Sequence, residues 1–442
     1  MTKNYFSRFS CISCIFCISS RFFFCFAALT FFTLSILPVQ AQFRVDVSGV
    51  GLTQVPVTIA AFKGEAASVQ KISAIVSADL SRSGQFRMID PGNDVMDENT
   101  QPDMSAFRQK AVDAMAAGSV TRLADGRFDV RFRLWDVVKG ANLGGASHVV
   151  TAPNLRLAAH KVSDYIYEKL TGEKGIFSTK IAFITKVGTR HTLWVADADG
   201  ENAITALASA EPIISPSWSP NGSQLAYVSF EGRKPEIWVH EVATGKRRLL
   251  ASFKGSNSAP SWSPDGRTLA LTLSRDGNAQ VYALSTSGGE PTRLSRSEGI
   301  ETEATYSADG KSIYFVSDRG GSPQIYRMGA SGGSSTRVTF SGNYNISPSL
   351  SPDGRWLAYI SRAGSGYKLY VMDLASGTSN AVTDTAADEK PSFAANSKLI
   401  VYATKFQGKE ALMTTTVDGR IKAKLGGVPG DIREPAWGPL GN

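Results

Sequence analysis

The feature that most constrains this chain is a turn signature that returns about every 44 residues. It reads Ser219-Pro220-Asn221-Gly222, Ser263-Pro264-Asp265-Gly266, Ser307-Ala308-Asp309-Gly310 and Ser351-Pro352-Asp353-Gly354, with a degenerate copy at Ala394-Ala395-Asn396-Ser397. An apolar run follows each copy: Leu225–Val228, Leu269–Leu271, Ile313–Val316, Leu357–Ile360 and Ile400–Tyr402. Stepping back one period from Leu225 reaches Ile181–Ile184, a sixth run of the same kind. Proline supplies a fixed φ and glycine a positive one, so each signature joins two strands. A period of about 40–50 residues with several short strands per unit predicts a ring of β-sheet blades.

Two further positions recur in phase. A large residue falls 13 places after the start of each apolar run: Trp194, Trp238, Tyr282, Tyr326, Tyr370 and Met413. Another precedes each turn: Trp218, Trp262, Tyr306, Leu350, Phe393 and Trp437. The first set is expected between neighbouring blades, and the second on the strand nearest the axis. The first unit opens on a second strand, at Ile181, and the chain ends on a first strand, Glu434-Pro435-Ala436-Trp437. A ring without an exposed edge requires that last strand to complete the first blade.

The N-terminus reads as a leader. Lys3, Arg8 and Arg21 precede an apolar stretch from Phe22 to Leu37, and Pro38-Val39-Gln40-Ala41 offers the small residues a signal peptidase reads. Cleavage is expected after Ala41, with a mature start at Gln42. The apolar core, about 16 residues, is short for a membrane span. All four cysteines, Cys11, Cys14, Cys17 and Cys25, lie in the leader. They sit among Ile and Phe with no partner histidine, which argues against a metal site. The mature chain then has no cysteine, which suits an oxidising compartment. Losing the three leader cations takes the formal net charge from +8 to +5. No Lys/Arg block or aromatic–basic interleaving stands out, so nucleic-acid binding is not expected.

Residues 42–54 read as a tail, alternating apolar and polar at Phe43, Val45 and Val47, that either lies as a strand or stays loose. Val55–Phe62, Phe86–Ile89, Val120–Leu123, Phe128–Val138 and Ala146–Thr151 read as strands; Ala66–Ser83, Ser105–Ala117 and Asn154–Leu170 read as helices. Such an order predicts a small α/β layer. The expected organisation is a leader over 1–41, a flexible tail over 42–54, an α/β domain over 55–172 and an all-β six-bladed β-propeller over 176–442.

Catalytic and ligand-binding motifs are sparse. Gly329-Ala330-Ser331-Gly332-Gly333 has the spacing of a nucleophile elbow, but it occupies a turn position between two strands of one unit, and no histidine follows it. His148, His160, His191 and His240 are scattered, without ligand spacing. His160, on a helix, is expected as a surface or capping group. The Asp-Gly turns lack the companion acids of a calcium loop, and no glycine-rich phosphate loop opens a helix. No catalytic, cofactor or metal site is expected, and the reading favours a binding protein over an enzyme.

Particular segments also resemble a known family. Ile75-Val76-Ser77-Ala78-Asp79-Leu80 with Ser83-Gly84-Gln85-Phe86, Glu168-Lys169-Leu170-Thr171-Gly172, Ala226–Glu231, Val371–Gly377, Thr416–Arg420 and the closing Pro435-Ala436-Trp437 are similar to the TolB family, periplasmic components of the Tol–Pal system of Gram-negative bacteria. The resemblance covers nearly all of the mature chain. It departs at Ala304, where the pattern has proline, and at the fifth turn, which lacks Asp-Gly.

The resemblance implies a non-catalytic periplasmic adaptor, monomeric outside its complex. Its propeller mouth would bind the lipoprotein Pal through Ser256, Asn257, Ala259, Thr302 and Glu303. Its mature N-terminus would bind TolA through Phe43, Arg44, Val45, Asp46 and Val47. Ser256 stands where the family often has histidine. The family's role in outer-membrane integrity and constriction during cell division follows, as does exploitation by colicins and filamentous phages in some hosts. Asn257-Ser258-Ala259, Glu301-Thr302-Glu303, Asn345-Ile346-Ser347, Asp388-Glu389-Lys390 and Asp431-Ile432-Arg433 are expected as loops opening on one face, a natural concave docking surface. Two other classes stay open: a propeller enzyme of the lyase or peptidase-associated kind, and a propeller that binds a small ligand or peptidoglycan fragment. A His/Glu/Arg cluster in the funnel, or an added hydrolase domain, would mark the enzyme.

Overall fold

The structure is a computed structural model that describes the backbone of residues 45–47 and residues 54–441. The leader, its cysteines and its cleavage point lie outside the described residues. So do Phe43 and Arg44 of the tail.

Residues 55–171 build a five-stranded sheet in the order Phe86–Met88, Val55–Ile59, Ala114–Arg122, Phe128–Asp136, Ala141–Val150. Val55–Ile59 runs parallel to both its neighbours, and the remaining pairs are antiparallel. Helices α1 (Ile72–Arg82), α2 (Met104–Gln109) and α3 (Leu155–Thr171) accompany it. Ile72, Val76 and Leu80 of α1 and Ala158, Val162 and Ile166 of α3 are fully buried in one core with Val57 and Leu134 of the sheet.

Two expected helices are corrected. The segment expected as Ala66–Ser83 starts as a 3-10 turn (Glu65–Ala67), and α1 begins only at Ile72, leaving Val69 75% exposed. The chain enters this turn through Gly64, at φ 85°. Glu65 then reaches forward and its carboxylate accepts from Ser73 N at 2.9 Å, doing for α1 what its own N-cap, Lys71, cannot. The segment expected as Ser105–Ala117 is helical only to Gln109. Asp103 caps α2 by accepting from Ser105 N and Ala106 N, and Ala111 turns out of it at φ 54°. Ala114–Arg122 is instead a central strand whose Ala114–Ala117 stretch is buried on both sides. An apolar run buried on both faces has no period that separates helix from strand.

The remaining chain forms six blades around an axis. Their innermost strands are Asp431–Trp437 (blade 1), Ile213–Trp218, Asn257–Trp262, Glu301–Tyr306, Asn345–Leu350 and Glu389–Phe393 (blade 6). In blade 1, Asp431–Trp437 pairs antiparallel with Lys180–Val187, setting Trp437 opposite Ile181. The expected closure by the C-terminal strand is what the fold contains. Trp437 is buried, donates from Nε1 to Thr179 Oγ1 at 2.9 Å, and through its backbone N reaches Ser392 of blade 6 at 2.9 Å.

The signature turns share one hydrogen-bond design. In Ser263–Gly266 the serine hydroxyl donates to Asp265 at 2.6 Å and accepts from Thr268 N at 3.0 Å, while Asp265 accepts from Arg267 N at 3.0 Å. Gly266 closes the turn at φ 71°. Ser219/Asn221, Ser307/Asp309 and Ser351/Asp353 repeat the serine-to-side-chain bond. Asp265 and Asp309 sit below the usual carboxylate range because these side-chain and backbone donors hold the charged form. The acids are spent on their own turns. Ser331, in the elbow-like segment, sits in the exposed turn between Gln324–Gly329 and Ser335–Arg337, with no helix after it.

Candidate docking mouth and domain junction

The ring has two faces. One carries the signature turns. The other is the mouth, where the chain crosses from the outer strand of one blade to the innermost strand of the next.

The segments expected as mouth loops are the opening residues of the innermost strands themselves. Each strand then breaks its ladder at a register shift. At each break one residue is left-handed: Ser215, Ala259, Glu303, Ser347, Lys390 and Glu434, with φ between 45° and 54°. In five blades proline follows, and in the fourth Ala304. Proline has no N–H to offer a ladder, so it fits where the ladder is already broken. The bulges turn this ring of residues toward the axis, where they line a cavity of about 260 Å³.

Three of the six are charged. Glu303 accepts from Ser347 N of the next blade at 2.6 Å and lies 3.7 Å from Lys390 Nζ. Glu434 accepts from Ser215 N at 3.0 Å, so the same device links blade 1 to blade 2. Burial pulls the Lys390 ammonium down, but Glu303 and Glu434 outweigh it and its pKa rises. Beside them Glu389 is pushed up to about 7, chiefly by burial, with Arg433 opposing.

The five residues expected to meet Pal separate into two levels. Ser256, Asn257 and Thr302 lie where innermost strands begin; Ala259 and Glu303 line the axis. Asn257 is fully buried, and its amide accepts from Phe253 N and donates to Phe253 O, both at 2.9 Å, which staples the crossing. Its side chain is therefore consumed internally. Glu303 is partly buried, and its carboxylate is bonded to the next blade. Thr302 accepts from Thr272 Oγ1 at 3.2 Å, and Ser256 N donates to Ser274 Oγ at 2.8 Å.

The tail meets a different blade. Val45–Val47 adds antiparallel to Ile421–Lys424, the outer strand of blade 6, with Val45 opposite Ala423 and Val47 opposite Ile421. Of the two states left open by the sequence, this is the strand.

A third feature escaped the sequence reading. On the turn face, α1 and α3 meet the blade 1 turn that follows Arg190–Asp197. His160 of α3, expected at the surface, is fully buried, and its Nδ1 lies 2.7 Å from Asp79 Oδ2 of α1. Arg82 donates to Asp79 Oδ1 at 2.8 Å, and Ser163 to Oδ2 at 2.8 Å. Across the junction Arg156 pairs with Asp199, and within blade 1 Lys180 pairs with Asp197. Among the described residues, Asp79, His160 and Asp199 bring ligand-type atoms within 4.8 Å. Arg82 and Arg156 already occupy the two carboxylates, so the trio is not a free cation site. The partners stand 81 and 43 residues apart, beyond any motif spacing. The one available signal was Asp79 itself, a carboxylate within the apolar stripe Ile72, Val76, Leu80.

A six-bladed ring with a fused α/β layer, a bulge-lined axis and an outer-blade tail strand defines a class of propeller built to present surfaces. Sequence comparison places the chain within it. A model described as the TolB amino-terminal domain matches residues 43–143, and one described as the TolB beta propeller domain matches 167–441. The chain is 78% identical over 406 residues to the Tol-Pal system protein TolB of Polaromonas naphthalenivorans, covering 92% of this chain and 95% of that one. It is 62% identical over 400 residues to the protein of that name from Dechloromonas aromatica, covering 90% and 94%. The crystal structure of TolB from Acinetobacter baumannii superposes with a TM-score of 0.82 at 38% identity, covering 90% of this chain and 100% of that one. This chain belongs to the TolB family, and it is a component of the Tol–Pal system. No helix of the described residues is long and apolar enough to cross a membrane.

Proposed function

We propose that this protein is a non-catalytic periplasmic adaptor, released from its leader after Ala41, that takes Pal at the propeller mouth and TolA on its tail. In doing so it links envelope layers and supports outer-membrane integrity and constriction during division. The observation that carries the reading is the separation of two surfaces of different kinds. At the mouth the bulges are tied blade to blade by Glu303 and Glu434. The tail is a three-residue strand on a sheet edge. Main-chain pairing of that sort transfers readily to a partner's sheet edge.

Within the mouth, Ser256, Thr302 and Glu303 are the proposed Pal contacts, with Ala259 beneath them and Asn257 shaping the crossing. Phe43, Arg44, Val45, Asp46 and Val47 are the proposed TolA contacts. Colicins would use the same surfaces. The test is calorimetric titration with each partner. Glu303→Lys should weaken Pal at least tenfold and leave TolA binding intact; deletion of residues 42–53 should do the reverse. Retention of both affinities in both variants overturns the assignment.

A further inference from the structure

We propose that the junction between the α/β layer and the propeller is a proton-operated clasp, held by His160 as an imidazolium that joins Asp79 of α1 to the blade 1 turn at Asp197 and Asp199, and loosened when His160 gives up a proton. The argument starts from the two ring nitrogens. Nδ1 faces Asp79 Oδ2 at 2.7 Å. Nε2 faces Asp197 Oδ2 at 3.8 Å and Asp199 Oδ2 at 3.7 Å. A neutral imidazole carries one proton and one lone pair. Protonated on Nδ1, it turns its lone pair toward two carboxylates. Protonated on Nε2, it presses that lone pair onto Asp79. Only the doubly protonated ring presents no lone pair to any facing carboxylate.

The buried polar atoms say the same. Nε2 of His160 and Oδ2 of Asp197 are both buried, and neither has a hydrogen-bond partner. They face each other across 3.8 Å. Groups left unpaired in a dry site are costly. At 3.8 Å the two are too far apart for a hydrogen bond, but a proton on Nε2 sets positive charge against Asp197 Oδ2, which Arg156 Nε also faces at 3.6 Å.

The charges on every packed element are accounted for. From α1 come Asp79 and Arg82; from α3, Arg156 and Asp164. From blade 1 come Lys180, Asp197, Asp199 and Glu201. Arg82, Arg156 and Lys180 each hold a carboxylate, yet acids outnumber them, so an added positive charge on His160 is welcome. Burial by itself pulls His160 down; Asp79, Asp199 and Asp197 outweigh it and raise it. A raised histidine contributes stability that is full below its unfolded value and is lost as pH climbs through the folded one.

The clasp also bears on the tail. Gly84, just past the end of α1, lies against Ile421, the residue opposite Val47. Loosening α1 therefore disturbs the strand on which the tail lies. This last step rests on the proposed TolA role; the clasp does not.

The test uses the full mature chain with labelled histidine, of which it has four. Nitrogen chemical shifts distinguish imidazolium from either neutral tautomer. His160 should remain imidazolium as the pH rises above the ordinary histidine value. Hydrogen exchange should then rise across residues 155–163 and 195–201 as the pH passes its transition, and not elsewhere in the ring. His160→Gln should show the faster exchange at every pH, with no transition. A His160 signal that turns neutral at or below the ordinary histidine value, or one that titrates with no change in exchange at the junction, overturns the proposal. Because the spectroscopic readout is taken on the unmodified protein, it stands even if the variant fails to fold. Binding of TolA without any pH response would sink only the link to the tail.

Discussion

Blade 1 and blade 6 each receive a strand from a distant part of the chain, and they receive it in opposite ways. Blade 1 takes Asp431–Trp437 at the axis, its innermost strand, sealed by a buried tryptophan that bonds to Thr179. Blade 6 takes Val45–Val47 at the rim, as a fifth strand over three residue pairs. The first addition removes an edge that the ring cannot leave open; the second decorates an edge already stable in other blades. Burial of Trp437 seals the first addition at the axis, whereas the second rests on three backbone pairs.

The sharpest way to break this contrast is to remove the axial strand. Deleting residues 431–442 should abolish cooperative melting of the propeller, read by calorimetry, because blade 1 loses its inner strand. Unchanged melting would mean that the seam is not a seal. Next in size, Trp437→Ala should cost about 3–5 kcal/mol, measured by denaturant unfolding; a loss under about 1 kcal/mol would equate the two additions.

The junction offers a third seam against which to scale them. Asp79→Asn breaks a buried ion pair with Arg82 and the bond to His160, and should cost about 3 kcal/mol. Its pH signature has a definite sign. Asp79 is lowered: burial raises it, but His160 and Arg82 win. Its contribution is therefore full above the ordinary aspartate value and is lost as pH falls through the lower folded one. His160 gives the opposite limb, lost as pH rises. Stability of the wild type minus that of Asp79→Asn should then peak between those limits; a flat difference would show that the pair is electrostatically inert. Smallest of all, deleting residues 42–53 should change the melting free energy by no more than about 2 kcal/mol, since it removes only three ladder pairs. A larger loss would promote the tail to a structural strand.

What the sequence disclosed follows the same division. The ring was legible because its devices repeat: Ser-Pro-Asp-Gly turns, a tryptophan or tyrosine at a fixed offset, and a phase that demanded closure at Trp437. The α/β layer has no repeat to average over. Ala114–Ala117 is apolar on both sides and reads as either kind of element, and the late start of α1 depends on Glu65 reaching Ser73 in three dimensions. At the mouth, the positions were readable but not their chemistry. Nothing near Asn257 in the sequence says that its amide turns inward, or that Glu303 is bonded to a residue one whole period away. His160 was misplaced for the same reason, since its partners lie on another helix and on a blade.

The seam between Thr179 and Trp437 joins residues 258 positions apart, and that separation is also a delay. A chain emerging from its N-terminus presents Lys180–Val187 early, with one ladder edge unfilled. Five blades must be made before the strand that fills it exists. Until then the nascent ring carries an open edge able to pair with any passing strand, the hazard that slow, long-range β pairing creates. The last seven-residue strand therefore sets the moment at which that edge closes, and a chain released a dozen residues short would keep it open.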